Sequence, residues 1–527
     1  MKRVTALLLA LLMIVSLVAC TKPSANVETT EENGSKQETV SEKETEVESE
    51  KKTEAEPEGE YPKIRINQHA FYGGPPKNAE IVEDALNKIL REKAHAELEI
   101  VYIQFSDMQT QTNLLLTGGD DSLDILTSFW YASLGELVSN GQVRELDELL
   151  ESSGQGIKEL YAPYQEVLDC ARVNGKLYGI PAFSAWSSPN IYLCMEETAK
   201  KSGVEFPENV TLDELTDILI KMKQANPDKY FIGGSTSPYW IPKDIDYLGD
   251  TNYCGVITDP VNSTKVENYY ESDYFLNFCE NVKKWKENDL ISPDPMSNDY
   301  ATLGNLSHHI TEGVTGYGYN MENTIYEANL ANTYGGPIVG TEIGPRLLTT
   351  GNINTYLWHI TSFCKDPEAA MRILNVLYTD PEAANIFMNG VENVTYVVNS
   401  NGQLEWPEGV TNNEEAGWFT GYNFSHPNGF LCPTWYNQRP DAYDLMKEDN
   451  ANAIPSKALG FVCDLSSVSD QYAACANVIA QYYLPLINGV VDIDETLPVF
   501  QQALRDAGID DIVQEKQRQL DEWLAAK

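Results

Sequence analysis

Leu98–Tyr131 reads LEIVYIQFSDMQTQTNLLLTGGDDSLDILTSFWY. Leu98 to Phe105 is rich in branched and aromatic residues and predicts a strand. Ser106 offers a cap to a helix carrying Met108, Leu115 and Leu116, which Gly118-Gly119 stops. Asp124-Ile125-Leu126 is then a short strand, and Thr127-Ser128-Phe129-Trp130-Tyr131 lies beyond its carboxyl end. Working outward, Ile64 and Ile66 alternate in an earlier strand, and Ile81, Val82, Ala85, Leu86, Ile89 and Leu90 fall on one helical stripe. Leu134, Leu137 and Val138 mark a further helix ending at Asn140-Gly141. Strand-helix-strand-helix-strand predicts a doubly wound parallel sheet. Ligands of such sheets bind outside the carboxyl ends of the strands, which puts residues 127–131 where a ligand would sit.

Later signals are local and chemical. Asn174-Gly175, inside Val173-Asn174-Gly175-Lys176-Leu177-Tyr178-Gly179-Ile180-Pro181, predicts a two-residue hairpin turn. An extended run follows through Phe183-Ser184-Ala185-Trp186 to Ile191-Tyr192-Leu193. Helices are expected near 211–224 and 273–288. Asp366-Pro367-Glu368 and Asp380-Pro381-Glu382 each combine an Asp cap with Pro at the first helical position. Two more helices close the chain, one with Leu497, Phe500 and Leu504 before Gly508, the last with Val513, Leu520, Trp523 and Leu524.

The chain begins with Lys2-Arg3 and an apolar run from Ala6 to Val18, which ends in Leu17-Val18-Ala19-Cys20. That run is too short for a permanent span and has the charge and length of an export signal, residues 1–19. The small residue before Cys20 resembles the lipobox of bacterial lipoproteins, in which the cysteine carries lipid. Residues 21 to 60 hold thirteen Glu and five Lys with hardly an apolar side chain. Residues 20–60 are therefore expected to be a disordered acidic tether. Such a chain sits on the outer face of the cell membrane, held through lipid on Cys20.

About 465 residues remain after the tether, which suits two lobes better than one core. The net charge of −42 argues against nucleic acid, because no basic stripe is present to neutralise phosphates. The remaining eight cysteines show no CxxC pair and lie in apolar contexts, so buried free thiols are expected rather than a disulfide framework. Asp244, Asp246 and Asp250 fit no calcium spacing and read as solvated acids, and no metal site is expected.

The ordered set of motifs resembles the extracellular solute-binding proteins of ABC importers, in the group that includes maltose-binding protein. Its members are the lipobox, the acidic tether, the strand-helix start, Asp124-Ile125-Leu126 with aromatics after it, and Asn174 to Pro181. Lys365-Asp366-Pro367-Glu368-Ala369-Ala370 looks like the helix opening after the chain's return crossing. Ala507-Gly508-Ile509-Asp510 with Gln514 to Leu520, and Gly390-Val391-Glu392 with Tyr396, resemble the lipoprotein subgroup associated with oligosaccharide uptake. The resemblance implies a type II, periplasmic-binding-protein-like α/β fold. Each lobe is a doubly wound sheet, and the ligand cleft lies between them. It implies a first lobe from 61–183 with a return segment at 346–415. The second lobe takes 187–345, and 416–527 adds mostly C-terminal helices to it.

The function so implied is capture of a carbohydrate, an oligosaccharide, and its delivery to ABC permease subunits by a lipid-anchored monomer. Sugars need aromatic faces for their rings and polar groups for their hydroxyls. Nine Trp and twenty-nine Tyr supply the former. Trp130 matches the family's ring-stacking position, with Ser128, Phe129 and Tyr131 in the same loop. Phe183 and Trp186 lie on the implied hinge strand. Tyr239-Trp240 and Tyr319-Asn320 are second-lobe candidates, and Trp358 and Trp435 are weaker ones that read as core residues sooner than as ligand contacts. No GxSxG, HExxH or phosphate-cradling motif occurs, so a cofactor-free, non-enzymatic role is expected. The rival readings are capture of a peptide or another polar solute, a surface glycoside hydrolase, and an adhesin or scaffold.

Overall fold

The computed structural model describes residues 61–70, 74–119, 121–129, 131–234, 242–296, 313–317, 320–331, 336–418 and 425–527. Cys20 and the acidic tether lie outside the described residues. In chain order the first elements are β1 (Lys63–Ala70), α1 (Ala79–Ala94), β2 (Glu97–Gln104), α2 (Met108–Leu115), β3 (Ile125–Ser128), α3 (Leu134–Ser139) and β4 (Ile180–Pro181). Then come β5 (Asn190–Met195), β6 (Asn209–Val210), α4 (Leu212–Ala225), α5 (Asp273–Glu287), β7 (Gly313–Tyr317), α6 (Met321–Ala331) and β8 (Ile338–Ile343). The chain continues through β9 (Leu357–Ile360), α7 (Pro367–Thr379), α8 (Pro381–Asn389), α9 (Ala442–Asn452), α10 (Ser469–Ile487), α11 (Ile493–Asp506) and α12 (Ile509–Ala526).

Alternation places Ile64 and Ile66 of β1 inward, while half-buried Arg65 reaches Glu99 of β2 at 3.0 Å. β2 and β3 flank β1 in parallel, and Ile66 pairs with Ile125. α1 buries Val82, Leu86, Ile89 and Leu90 on the sheet, whereas Ile81 stays exposed because the stripe turns away from the core there. Each such fully buried side chain contributes roughly 1.5–3 kcal/mol. Asn87 fixes the helix to the next strand by exchanging hydrogen bonds with the Leu98 backbone at 2.7 and 2.9 Å. Ser106 does not cap α2. It lies in a 3-10 turn, Phe105–Asp107, that leads directly into the helix. Ser133 does cap α3, in a reciprocal box with Glu136.

The first sheet has the order β2-β1-β3-β9-β4, and β9 returns antiparallel between β3 and β4. Its core draws on Ile64 through Trp186, takes in Leu348 through Phe387, and gains Trp418 and Leu459. The hairpin before β4 pairs Val173 with Lys176, and Asn174 and Gly175 both have positive φ (51° and 81°), which that turn demands. Asp366 and Asp380 accept from Ala369 N and Ala383 N, each at 2.9 Å, so both caps form as their sequences require.

The second sheet has the order β6-β8-β5-β7. Its core joins Tyr192, Leu219, Tyr269, Phe275 and Trp285 to Tyr483 and Phe500 of the C-terminal helices. A polar thread crosses the α4–α5 contact: Trp285 Nε1 donates to Thr216 Oγ1 at 2.8 Å, and Thr216 donates to Asn281 Oδ1 at 2.6 Å. The two sheets are linked by residues 182–189 going out and 344–356 coming back. Eight free cysteines follow residue 60, seven of them buried.

The three aspartates before residue 251 are not solvated acids. Asp246 and Asp250 are buried, and the ammonium of Lys516, on α12, meets Asp250 Oδ2 at 2.8 Å with both side chains fully enclosed. Tyr472 donates to the other Asp250 oxygen at 2.9 Å. A lysine 266 residues away thus supplies the cation that the acid needs on leaving water.

Candidate ligand cleft

Register brings the candidate contact segments to one edge. Leu357 pairs with both Ser128 and Pro181, so the carboxyl ends of β3 and β4 and the amino end of β9 lie side by side. In the second sheet Asn190 pairs with Tyr317 and Ile343, so the carboxyl ends of β7 and β8 flank the start of β5. The crossing segments leave from these two edges.

The loop after β3 is held from below. Asn67 of β1 donates to the Thr127 carbonyl at 3.2 Å and to the Tyr131 hydroxyl at 3.1 Å, and its Oδ1 accepts from Thr127 N at 2.7 Å. Burial pushes the Tyr131 phenol above its ordinary range. Ser128 is buried and bonds His359 Nε2. Phe129 stacks on Tyr356, ring centres 4.2 Å apart and planes 14° from parallel. Ser128, Phe129 and Tyr131 thus share one anchored loop, and Trp130 between them lies outside the described residues.

Phe183 and Trp186 pack edge to face at 5.0 Å, with Tyr161 and Tyr164 around them. The Trp186 indole donates to the Ala182 carbonyl at 2.9 Å and the residue is 4 % exposed. Its backbone N–H donates to Asn450 Oδ1 at 2.7 Å, and Asn450 Nδ2 reaches back to the Ser184 carbonyl at 2.8 Å. The neighbouring Asp449 joins Asn320 Nδ2 at 2.6 Å and Arg346 Nη1 at 3.3 Å. Burial raises the Asp449 carboxyl above its usual pKa. α9 therefore ties the outgoing crossing to the end of the second sheet, where Asn320 sits.

Trp358 is enclosed in the first core, 6.0 Å from the Phe387 ring, and Trp435 packs on Trp406 while donating to Asn389 Oδ1 at 3.0 Å. Neither shares the edge loop formed by residues 128–131. Tyr239, Trp240 and Tyr319 lie outside the described residues. The sequence reading missed Asn67, Tyr356, His359, Asp449 and Asn450. Asn67 and His359 carried a usable signal, since each is a polar residue beside apolar strand positions. The others carried none, because their partners are remote in sequence.

The profile of the bacterial extracellular solute-binding protein family matches residues 78–384, and a domain of unknown function (DUF3502) matches residues 457–525. A carbohydrate ABC transporter substrate-binding protein of Streptococcus pneumoniae is 25% identical over 484 residues, covering 89% of this chain and 92% of the relative. The crystal structure of the N-glycan transport solute binding protein NgtS from the same organism superposes with a TM-score of 0.74 at 23% identity. The match covers 88% of this chain and 99% of that one. Its complexes with Man1GlcNAc and Man5GlcNAc superpose with TM-scores of 0.68 and 0.65, at the same 23% identity and 88% coverage of this chain. The complexes are matched over 100% and 99% of their own length. The shared fold is that of the type II periplasmic binding proteins.

Proposed function

Since the chain belongs to the bacterial extracellular solute-binding protein family, we propose that it captures an oligosaccharide outside the cytoplasm and passes it to ABC permease subunits. The role is binding, without turnover. One observation supports the site above others: a single sheet edge gathers the anchored 128–131 loop, the Phe183–Trp186 crossing and Tyr356. That is the place where an α/β sheet presents ligand contacts. Aromatic rings beside backbone and amide groups suit sugar rings and hydroxyls. Residues 61–183 and 346–415 would form one lobe, and 187–345 with most of 416–527 the other. Ligand would draw the two together about the crossings. Trp130 is our candidate for the stacking ring, and Tyr239, Trp240, Tyr319 and Asn320 are our candidate contacts from the second lobe.

The export signal and Leu17-Val18-Ala19-Cys20 support lipid attachment at Cys20, with residues 21–60 as the tether of a monomer. A mature first residue other than acylated Cys20, read by mass spectrometry of membrane-extracted protein, would remove the anchor.

The test of function is a thermal-shift panel of Man1GlcNAc, Man5GlcNAc, maltotriose and a tripeptide. A ligand at one hundred times its Kd should stabilise the protein by about 2.7 kcal/mol. Stabilisation by the peptide alone, or by none of the saccharides, defeats the carbohydrate reading. Hydrolysis of a saccharide would favour an enzyme instead.

A further inference from the structure

A groove of about 640 Å³ lies between α6 and the segment Arg439-Pro440-Asp441. This size falls within the range of small-molecule sites. Its walls come from different parts of the fold. α6 rests on the second sheet, with Met321 and Ile325 against Ile191, Leu193 and Ile338. The 439–441 segment follows Cys432 and Trp435, which pack on α8 of the first lobe. Three contacts clasp the walls together. Asn437 Nδ2 donates to Glu327 Oε1 at 3.0 Å, Arg439 N donates to Asn323 Oδ1 at 3.0 Å, and the Arg439 guanidinium pairs with Glu322.

The lining has the chemistry of a sugar subsite. Ile325, Tyr326 and Pro440 give an apolar floor with one half-buried aromatic ring. Arg439 holds Asp441 through two bonds at 2.8 Å and Glu322 through a third. Of its five N–H donors, two stay open for hydroxyl oxygens. The two carboxylates keep lone pairs for hydroxyl protons, and with a single guanidinium against them the groove carries a net negative charge, which favours a neutral polyol over an anion. Asn329 Oδ1 accepts from Ile338 N at 2.7 Å, and its amide N–H groups make no hydrogen bond among the described residues. Asn320, which caps α6 through Asn323 N at 3.0 Å, places the groove next to the second-lobe edge of the cleft.

We propose that this groove is a second carbohydrate subsite, which takes an outer pyranose of an oligosaccharide whose first residues lie in the cleft, with Tyr326 as its stacking ring. The assignment rests on the oligosaccharide reading above. Its two walls are far apart in the chain, and the groove exists because Asn437 and Arg439 hold the 439–441 segment against α6.

Calorimetric titration with Man5GlcNAc, and with Man1GlcNAc as the short control, tests it on the wild type, Tyr326→Ala and Tyr326→Phe. Tyr326→Ala should weaken Man5GlcNAc about tenfold, leave Man1GlcNAc within about twofold, and unfold at the wild-type temperature. Tyr326→Phe, which keeps the ring, should retain most of the affinity. Unchanged Man5GlcNAc binding by Tyr326→Ala, or equal losses for both glycans, overturns the groove and leaves the cleft reading standing. A wild type that binds neither glycan overturns the groove too, and the wider saccharide panel then decides the cleft reading separately.

Discussion

The Ser128 hydroxyl donates to Nε2 of His359 at 2.8 Å, while Nδ1–H of the same ring donates to the Tyr178 carbonyl at 2.7 Å. The neutral tautomer is thereby fixed, and the loop after β3 is tied to the returning strand β9.

His359 should make stability depend on pH. Burial without a charged partner lowers its pKa to about 4, against about 6.5 in the unfolded chain. The depressed value means that the contribution is complete above about pH 6.5 and is lost as pH falls towards 4, by about 3 kcal/mol in all. Asp449 and Glu327, whose pKa values burial raises, act in the opposite sense, since protonation relieves them. They cancel when wild type is compared with His359→Gln. Chemical denaturation at pH 7.5 and 4.5 should show the wild type losing about 2 kcal/mol more than the variant. Parallel losses would remove His359 from the account.

Asn67→Ala should cost about 2 kcal/mol of stability, because Thr127 loses backbone partners on both sides in a buried site. The same change should weaken ligand binding, since the 128–131 loop is no longer held. An affinity equal to wild type in calorimetry would show that the loop holds its shape without Asn67.

Two tryptophans should separate affinity from stability. Trp130→Ala is expected to cost about 1–3 kcal/mol of binding. Trp186→Ala is expected to cost about 3–5 kcal/mol of folding, because its ring is enclosed by Tyr161, Tyr164 and Phe183. A Trp186→Ala protein with wild-type melting temperature and lost affinity would reverse that assignment.

Lys516→Met leaves Asp250 as a buried charge without its cation, at a cost of about 3–5 kcal/mol. Adding Asp250→Asn should recover part of this, since Asn keeps an acceptor for Tyr472 and the loop N–H groups while removing the charge. Equal urea midpoints for the single and double variants would contradict the electrostatic origin.

What the sequence revealed was what neighbours in the chain decide. Asp366 and Asp380 cap their helices, and Asn174-Gly175 turns its hairpin, because the partners lie within three residues. The stripe of α1 was legible for the same reason, except that Ile81 sits where the core ends. Ser106 was misread because the chain enters α2 through a 3-10 turn, whose backbone bonds leave the hydroxyl no capping role. Asn450 meets Trp186 across 264 residues, a distance no spacing rule spans. Asp250 read as solvent-exposed for that reason too, since nothing local announces Lys516.

The enclosure of Lys516 by residues 250–255 bears on how the protein is made. Its ammonium also donates to the Gly255 carbonyl at 2.9 Å, so a mid-chain loop is completed only by the last helix. A nascent chain still lacking its final turns holds an unneutralised acid where that helix belongs, and the half it sits in stays open. Closing that half therefore requires α12 to dock against residues 250–255.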